Sequence, residues 1–285
     1  MSLVGISYKF FGDLSNYTRP YFLDINEDLH KANINFTLEE YVSVAMFITF
    51  VTFAAEIFLF VSIFALFADV FTAFLLGCTL SATVSGLLFF LFYTYPSTVA
   101  KSRANKIRKA LPFAAAYMTT IASSRLHPIT IFKTLSKFKE YGEVSAEARS
   151  IVNDVELFGM NFSTALKKRA KKTPSQEFAE LLWGLHAVVI AGGDVPSYLR
   201  NKTNELMNDY RRRIRKYAQD LSVYVEIYMT LIITGSIFFI VLSSTISLIS
   251  GTLGTVMIQT FVVLVLLPLL SIAFILITKG VSPTE

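Results

Sequence analysis

Two long stretches of this chain are almost free of charge, and a charged stretch lies between them. Residues Tyr41 to Ala68 are apolar except for Glu56, and Val70 to Ala100 contain no charged residue, each ample for the roughly 20 residues that cross a bilayer as a helix. Ile227 through Thr278 run 52 residues without a charge, interrupted by Ser250-Gly251-Thr252-Leu253-Gly254-Thr255, a glycine- and serine-bearing turn signal. The pattern predicts an all-α integral membrane protein with two transmembrane hairpins: spans at 41–68 and 70–95, with Asp69 at the turn, then spans at 222–249 and 256–278. Residues 1–40 read as a cytoplasmic N-terminal segment, 101–217 as a cytoplasmic helical block and 279–285 as a short cytoplasmic tail.

The intervening block shows helix starts and no useful strand-like alternation. Ser145 precedes Ala146-Glu147-Ala148, Asn161 precedes an apolar pattern, Thr173 precedes Pro174, and Asp194 stands two residues before Pro196. Before the first span, Thr37-Leu38-Glu39-Glu40 predicts a capping box that starts the membrane helix. From about Pro196 nothing breaks a helical pattern until the third span is complete, which predicts one long helix entering the bilayer.

Composition agrees: 53% of the 285 residues are hydrophobic and 16% charged, against about a quarter charged in soluble domains. Residues 101–217 hold 22 basic and 10 acidic side chains, residues 1–40 only 3 and 6. Lys101, Arg103, Lys106, Arg108 and Lys109 follow the second span, and Arg211, Arg212, Arg213, Arg215 and Lys216 precede the third. The positive-inside rule then puts the block and both termini in the cytoplasm of a multi-pass protein of the cell membrane. Anionic lipid or an acidic protein face suits such a block better than nucleic acid, for which no binding signature exists. The first sustained apolar run begins at Tyr41, so no cleaved leader is expected.

Catalytic and cofactor chemistry finds little purchase. The single Cys78 lies in an apolar run, where helix packing accounts for it, and His30, His127 and His186 are too scattered for a metal site or a triad. No phosphate-binding loop of the Gly-x-x-x-x-Gly-Lys-Ser/Thr type is present, so a motor must be a partner; no cofactor, metal or enzymatic activity is expected. Ala191-Gly192-Gly193-Asp194 comes close to the Gly-x-Gly-Asp of intramembrane aspartyl proteases, with Ala at the first position, and reads better as a turn followed by an N-cap.

Three stretches share a turn-then-helix layout at intervals of about 33 residues: Leu126-His127-Pro128-Ile129, Gly159-Met160-Asn161-Phe162 and Gly192-Gly193-Asp194-Val195-Pro196. Together with Ala110-Leu111-Pro112-Phe113, the lead-in from Leu29 to Tyr41 and the flanking hairpins, they resemble the type II secretion F domain of inner-membrane platform proteins. That family serves type IV pili, tight-adherence pili and the archaeal flagellum, and the resemblance covers roughly residues 29 to 278. It departs at His127-Pro128, where the family has a glycine turn, and in size, since archaeal flagellar relatives carry a longer N-terminal half. The resemblance implies a platform that anchors a hexameric assembly ATPase and couples its motion to extraction of pilin- or flagellin-like subunits, working with a second copy or a companion platform subunit. An ABC-type permease subunit and an intramembrane aspartyl protease are the alternatives.

Single features have two readings each. Lys167, Lys168, Arg169, Lys171 and Lys172 are either an ATPase-docking patch or a solvated helix end favoured by the helix dipole. Arg211, Arg212, Arg213 and Arg215 are either partner contacts or juxtamembrane anchors on lipid head groups. Glu56, mid-span, needs a partner inside the bundle. Gly77, Ser81 and Ser85, with Cys78, Ala82 and Gly86 beside them, suit close helix packing within or between copies.

Overall fold

The computed structural model describes residues 3–18, 22–67, 69–124, 126–250 and 253–280, all helical or in short connections, with no strand among them. Two compact units, residues 1–200 and 201–285, are described separately. The turn at Gly251-Thr252 and the last five residues of the tail lie outside the described residues.

In the first unit, α1 (Leu3–Thr18) and α2 (Leu23–Ala32) precede α3 (Leu38–Phe64), which begins at the expected capping box. The Glu40 amide donates to Thr37 Oγ1 at 3.2 Å and the Thr37 amide to Glu40 Oε2 at 2.9 Å, satisfying two donors that a bare helix start leaves orphaned. Helix α4 (Val70–Ala122) carries the second span and continues without interruption into the charged block, through Pro96 and Pro112. Both helices are long and apolar enough to cross a membrane, and most of their large apolar side chains face outward.

The α3–α4 contact is made by small residues. Ala73, Gly77, Ser81 and Ser85 recur every four residues on α4 and are all buried. At Gly77 the backbones come so close that an added Cβ would stand 2.6 Å from Val61 Cγ2 and 3.0 Å from the Val61 nitrogen. The expected small-residue packing is thus realised within the hairpin, while Ala82 and Gly86 stay exposed. Beneath it, α2 lays Ile25 and Leu29 against Leu38 and Val42.

The charged block is a set of short helices: α5 (Pro128–Leu135), α6 (Glu143–Glu156), α7 (Phe162–Lys172), α8 (Gln176–Ile190) and the start of α9 (Val195–Ile227). Its core gathers Ile107, Leu111 and Met118 of α4 with Phe132, Ile151, Leu166, Phe178 and Leu182. Two expected helix starts move. Gly142, at φ +51°, opens α6, whereas Ser145 donates inward to the Phe138 carbonyl. Thr173 ends α7, and Ser175 caps α8 by accepting from the Phe178 amide at 3.3 Å. In each case a competing cap two or three residues away takes the end.

The second unit holds most of α9, a π-helical segment Tyr228–Thr234, α10 (Gly235–Ser250), α11 (Leu253–Phe261), a second π segment Val262–Leu266, and α12 (Leu267–Gly280). The expected long helix is therefore continuous in path but widens to π geometry at 228–234.

Candidate functional site

The basic cluster on α7 divides in two. Asn161 Oδ1 accepts from the Ser163 amide at 2.9 Å and fixes the helix start, as expected. Phe162, Ala165, Leu166 and Ala170 then bury one face, which turns Lys167, Lys171 and Lys172 out to solvent. Lys168 instead reaches Asp154 of α6 at 2.6 Å, and Arg169 turns inward onto both carboxylate oxygens of Glu147, with Nη2 2.6 Å from Oε1.

Glu147 has no exposed surface and is the centre of a buried charge cluster. Arg103 of α4 donates to it at 3.1 Å, to Glu143 at 2.9 Å and to the Lys31 carbonyl at the end of α2 at 2.6 Å. One carboxylate thus ties α4, α6 and α7 together, and one guanidinium extends the tie to α2. Forked guanidinium–carboxylate pairs of this kind are the strong form of the ion pair. Sequence reading marked Arg103 only as a topological charge and missed Glu147; the signal was an acidic pair at i, i+4 spacing, Glu143 and Glu147, in an otherwise basic block. Beside it, Tyr141 packs on Tyr117 with ring centroids 5.9 Å apart, and burial, then Tyr117 and Glu140, push its phenol above the ordinary value.

The three turns differ as the sequence suggested. Gly159 and Gly192 both adopt φ +64°, a left-handed conformation that glycine takes without strain. Gly193 donates to the Val188 carbonyl at 2.9 Å, closing the end of α8, and Asp194 directly precedes α9. At the third, His127 caps α5 with Pro128 in the first helical position, a start that needs no left-handed residue.

On α9, Arg211, Arg212, Arg215 and Lys216 are exposed, Arg213 is half-buried, and Arg212 pairs with Asp209 of the preceding turn. Within the first hairpin Ser85 donates to Glu56 Oε2 at 2.9 Å, giving the intramembrane acid a partner across α3 and α4. An apolar hollow of about 480 Å³ lined by Phe11, Phe50, Phe53, Ala82, Ser85 and Gly86 opens beside it.

Four helices long and apolar enough to span a bilayer, two before and two after a helical charged block in the sequence, define an all-α multi-pass membrane protein. Residues 114–243 match the family model of the type II secretion system (T2SS), protein F, in agreement with the resemblance read from the sequence. The matched stretch begins inside α4 and ends inside α10, so it includes most of the block and part of the third apolar helix. Flagella accessory protein J of Methanocaldococcus jannaschii is 27% identical over 150 residues, covering 52% of this chain and 26% of that protein. An uncharacterized protein of the same organism is 28% identical over 135 residues, 47% of this chain and 23% of its own length. Another is 29% identical over 89 residues, 31% and 27% respectively. The matches thus span about a quarter of the length of these curated relatives. No solved structure matches.

Proposed function

We propose that this chain is a non-enzymatic membrane platform subunit of a type IV pilus-like, archaeal-flagellum or type II secretion machine. It anchors a hexameric assembly ATPase and couples that motor's movement to extraction of pilin- or flagellin-like subunits from the bilayer. The observation that carries this is the protein F domain built directly onto membrane helices, with α4 running unbroken from the second span into the block and α9 leading from the block toward the third span. The basic block and the C-terminal tail face the cytoplasm, on the charge asymmetry of the block's flanks.

The docking face assigned to the motor is the exposed row Lys167, Lys171 and Lys172 on α7; Arg211, Arg212 and Arg215 on α9 are exposed cations of the second unit and a separate candidate contact. Exposed charges of one sign steer an acidic partner and set its orientation. Lys168 and Arg169 hold α7 in place from behind this face. Glu56, bonded to Ser85, serves hairpin packing, and a companion platform subunit or a second copy completes the assembly. Asp194, at the α8–α9 turn, serves as a helix start, which removes the motive for a protease reading.

The test is co-purification of the full chain with an assembly ATPase from the same cell. Charge reversal at Lys167, Lys171 and Lys172 is expected to abolish capture while the protein still reaches the membrane. Capture equal to wild type sinks the α7 face.

A further inference from the structure

We propose that α1 is a bilayer-inserted helix, lying along α3 at the depth of the lipid acyl chains with Tyr8 and Phe10 facing lipid. The register comes from three contacts: Ser15 Oγ donates to the Glu39 carbonyl at 3.0 Å, Phe11 packs on Phe47 and Phe50 with centroids 6.4 and 5.9 Å apart, and Phe10 stacks on Phe47 at 6.4 Å. Lower numbers on α1 meet higher numbers on α3, so the two helices are antiparallel, and α1 runs deeper toward its own N-terminus.

Depth follows from the same register. Tyr41 donates to the Phe92 carbonyl at 2.8 Å, and with Tyr93 and Tyr95 at the same level it forms the kind of aromatic belt that marks a membrane–water interface. Phe47 and Phe50 lie six and nine residues further along α3, about 9 to 14 Å past that belt at 1.5 Å per residue. Phe10 and Phe11 therefore stand within one leaflet of a hydrocarbon core about 30 Å thick.

The faces of α1 are inverted relative to a helix on a water-facing surface. Its packed side holds Ser7, Gly12 and Ser15, all buried, with Phe11 half-buried among them, whereas Phe10 is 72% and Tyr8 45% exposed. Small residues at the contact face are the pattern of helices that associate in lipid. Lys9, exposed between the two aromatics, limits the depth, since its ammonium must reach head groups along its aliphatic stem. The N-terminal segment expected in the cytoplasm thereby becomes a third membrane element of the first hairpin.

The test uses full-length protein with its single tryptophan removed, W183F, and either F10W or Y8W introduced, reconstituted in phosphatidylcholine vesicles with plain or chain-brominated lipid. Both new indoles are expected to lose most of their emission in brominated vesicles and to be shielded from acrylamide in the buffer. The native Trp183 of the parent protein, in α8, is expected to respond to acrylamide and not to bromine. Quenching by acrylamide alone would place α1 in water, and quenching by neither would place it under protein; either overturns the assignment.

Discussion

Replacing Glu147 by Gln tests the charge cluster that holds the block together. The carboxylate has no exposure, and the guanidinium side chains it serves are only 10% and 14% exposed, so water cannot replace it. Gln keeps the shape, removes the charge and presents an amide N–H₂ to one guanidinium. Breaking a buried pair by removing one partner costs about 3–5 kcal/mol, because the other charge is left uncompensated. Arg103 keeps Glu143 and the Lys31 carbonyl, so the lower end applies, about 3 kcal/mol, carried mainly by Arg169. At about 2–4 °C per kcal/mol for a protein of this size class, the melting temperature falls by roughly 6–12 °C. Thermal unfolding of the purified chain in detergent, followed by Trp183 emission in α8, reads the block directly. Glu156→Gln is the comparison, since the Lys133–Glu156 pair at 2.7 Å has both side chains about half exposed and such pairs contribute about 0–1 kcal/mol. If Glu147→Gln melts no lower than Glu156→Gln, the cluster does not secure α7 and the reasoning fails.

Gly77→Val should separate α3 from α4, because backbone nitrogen as well as a side chain of Val61 stands in the way; overpacking costs about 1–3 kcal/mol, seen as earlier protease cleavage between the spans. Gly192→Ala forces a Cβ into φ +64° with open space around it, so a loss of about 1 kcal/mol from backbone strain alone should appear as a small drop in melting temperature. Ser85→Ala removes the hydrogen bond that Glu56 accepts across α3 and α4 and should cost about 0.6 kcal/mol, the average for side-chain bonds between membrane helices; a cost several times larger would mean that the acid has a heavier duty than packing.

Local chemistry was legible in the sequence wherever one residue type settles one geometry. The Thr37–Glu40 box, the Asn161 cap and the glycines at 159 and 192 depend on neighbours within four residues, and they stand where the pattern puts them. Ser145 and Thr173 failed because Gly142 and Ser175 are equally local alternatives, and only packing decides which ends a helix. The partners of Glu147 were out of reach, since Arg103 lies 44 positions away and Arg169 lies 22, and composition alone reads all basic residues in the block as surface. Helix α1 was missed for another reason: periodicity searches look for an apolar face, and its packing face sets Ser7, Gly12 and Ser15 around Phe11.

The two helices that join membrane to block are built differently. Helix α4 spans 53 residues, about 80 Å at 1.5 Å per residue, and stays α-helical although Pro96 and Pro112 each remove a backbone hydrogen bond. Both prolines are buried, so neighbouring helices brace the positions that would otherwise kink. The path from α9 to α10 instead passes through seven residues of π-helix, where Thr234 Oγ1 donates to the Met229 carbonyl, five residues back, at 3.1 Å. There Tyr228 meets α12, its hydroxyl 3.1 Å from Ser271 Oγ and its ring 4.5 Å from Phe274. A π-helical turn inside a helix departs from the regular hydrogen-bond ladder, and such departures are frequent at functional sites. For the proposed platform, α4 is the regular connection from block to membrane and the α9–α10 path is the one that carries an irregular turn.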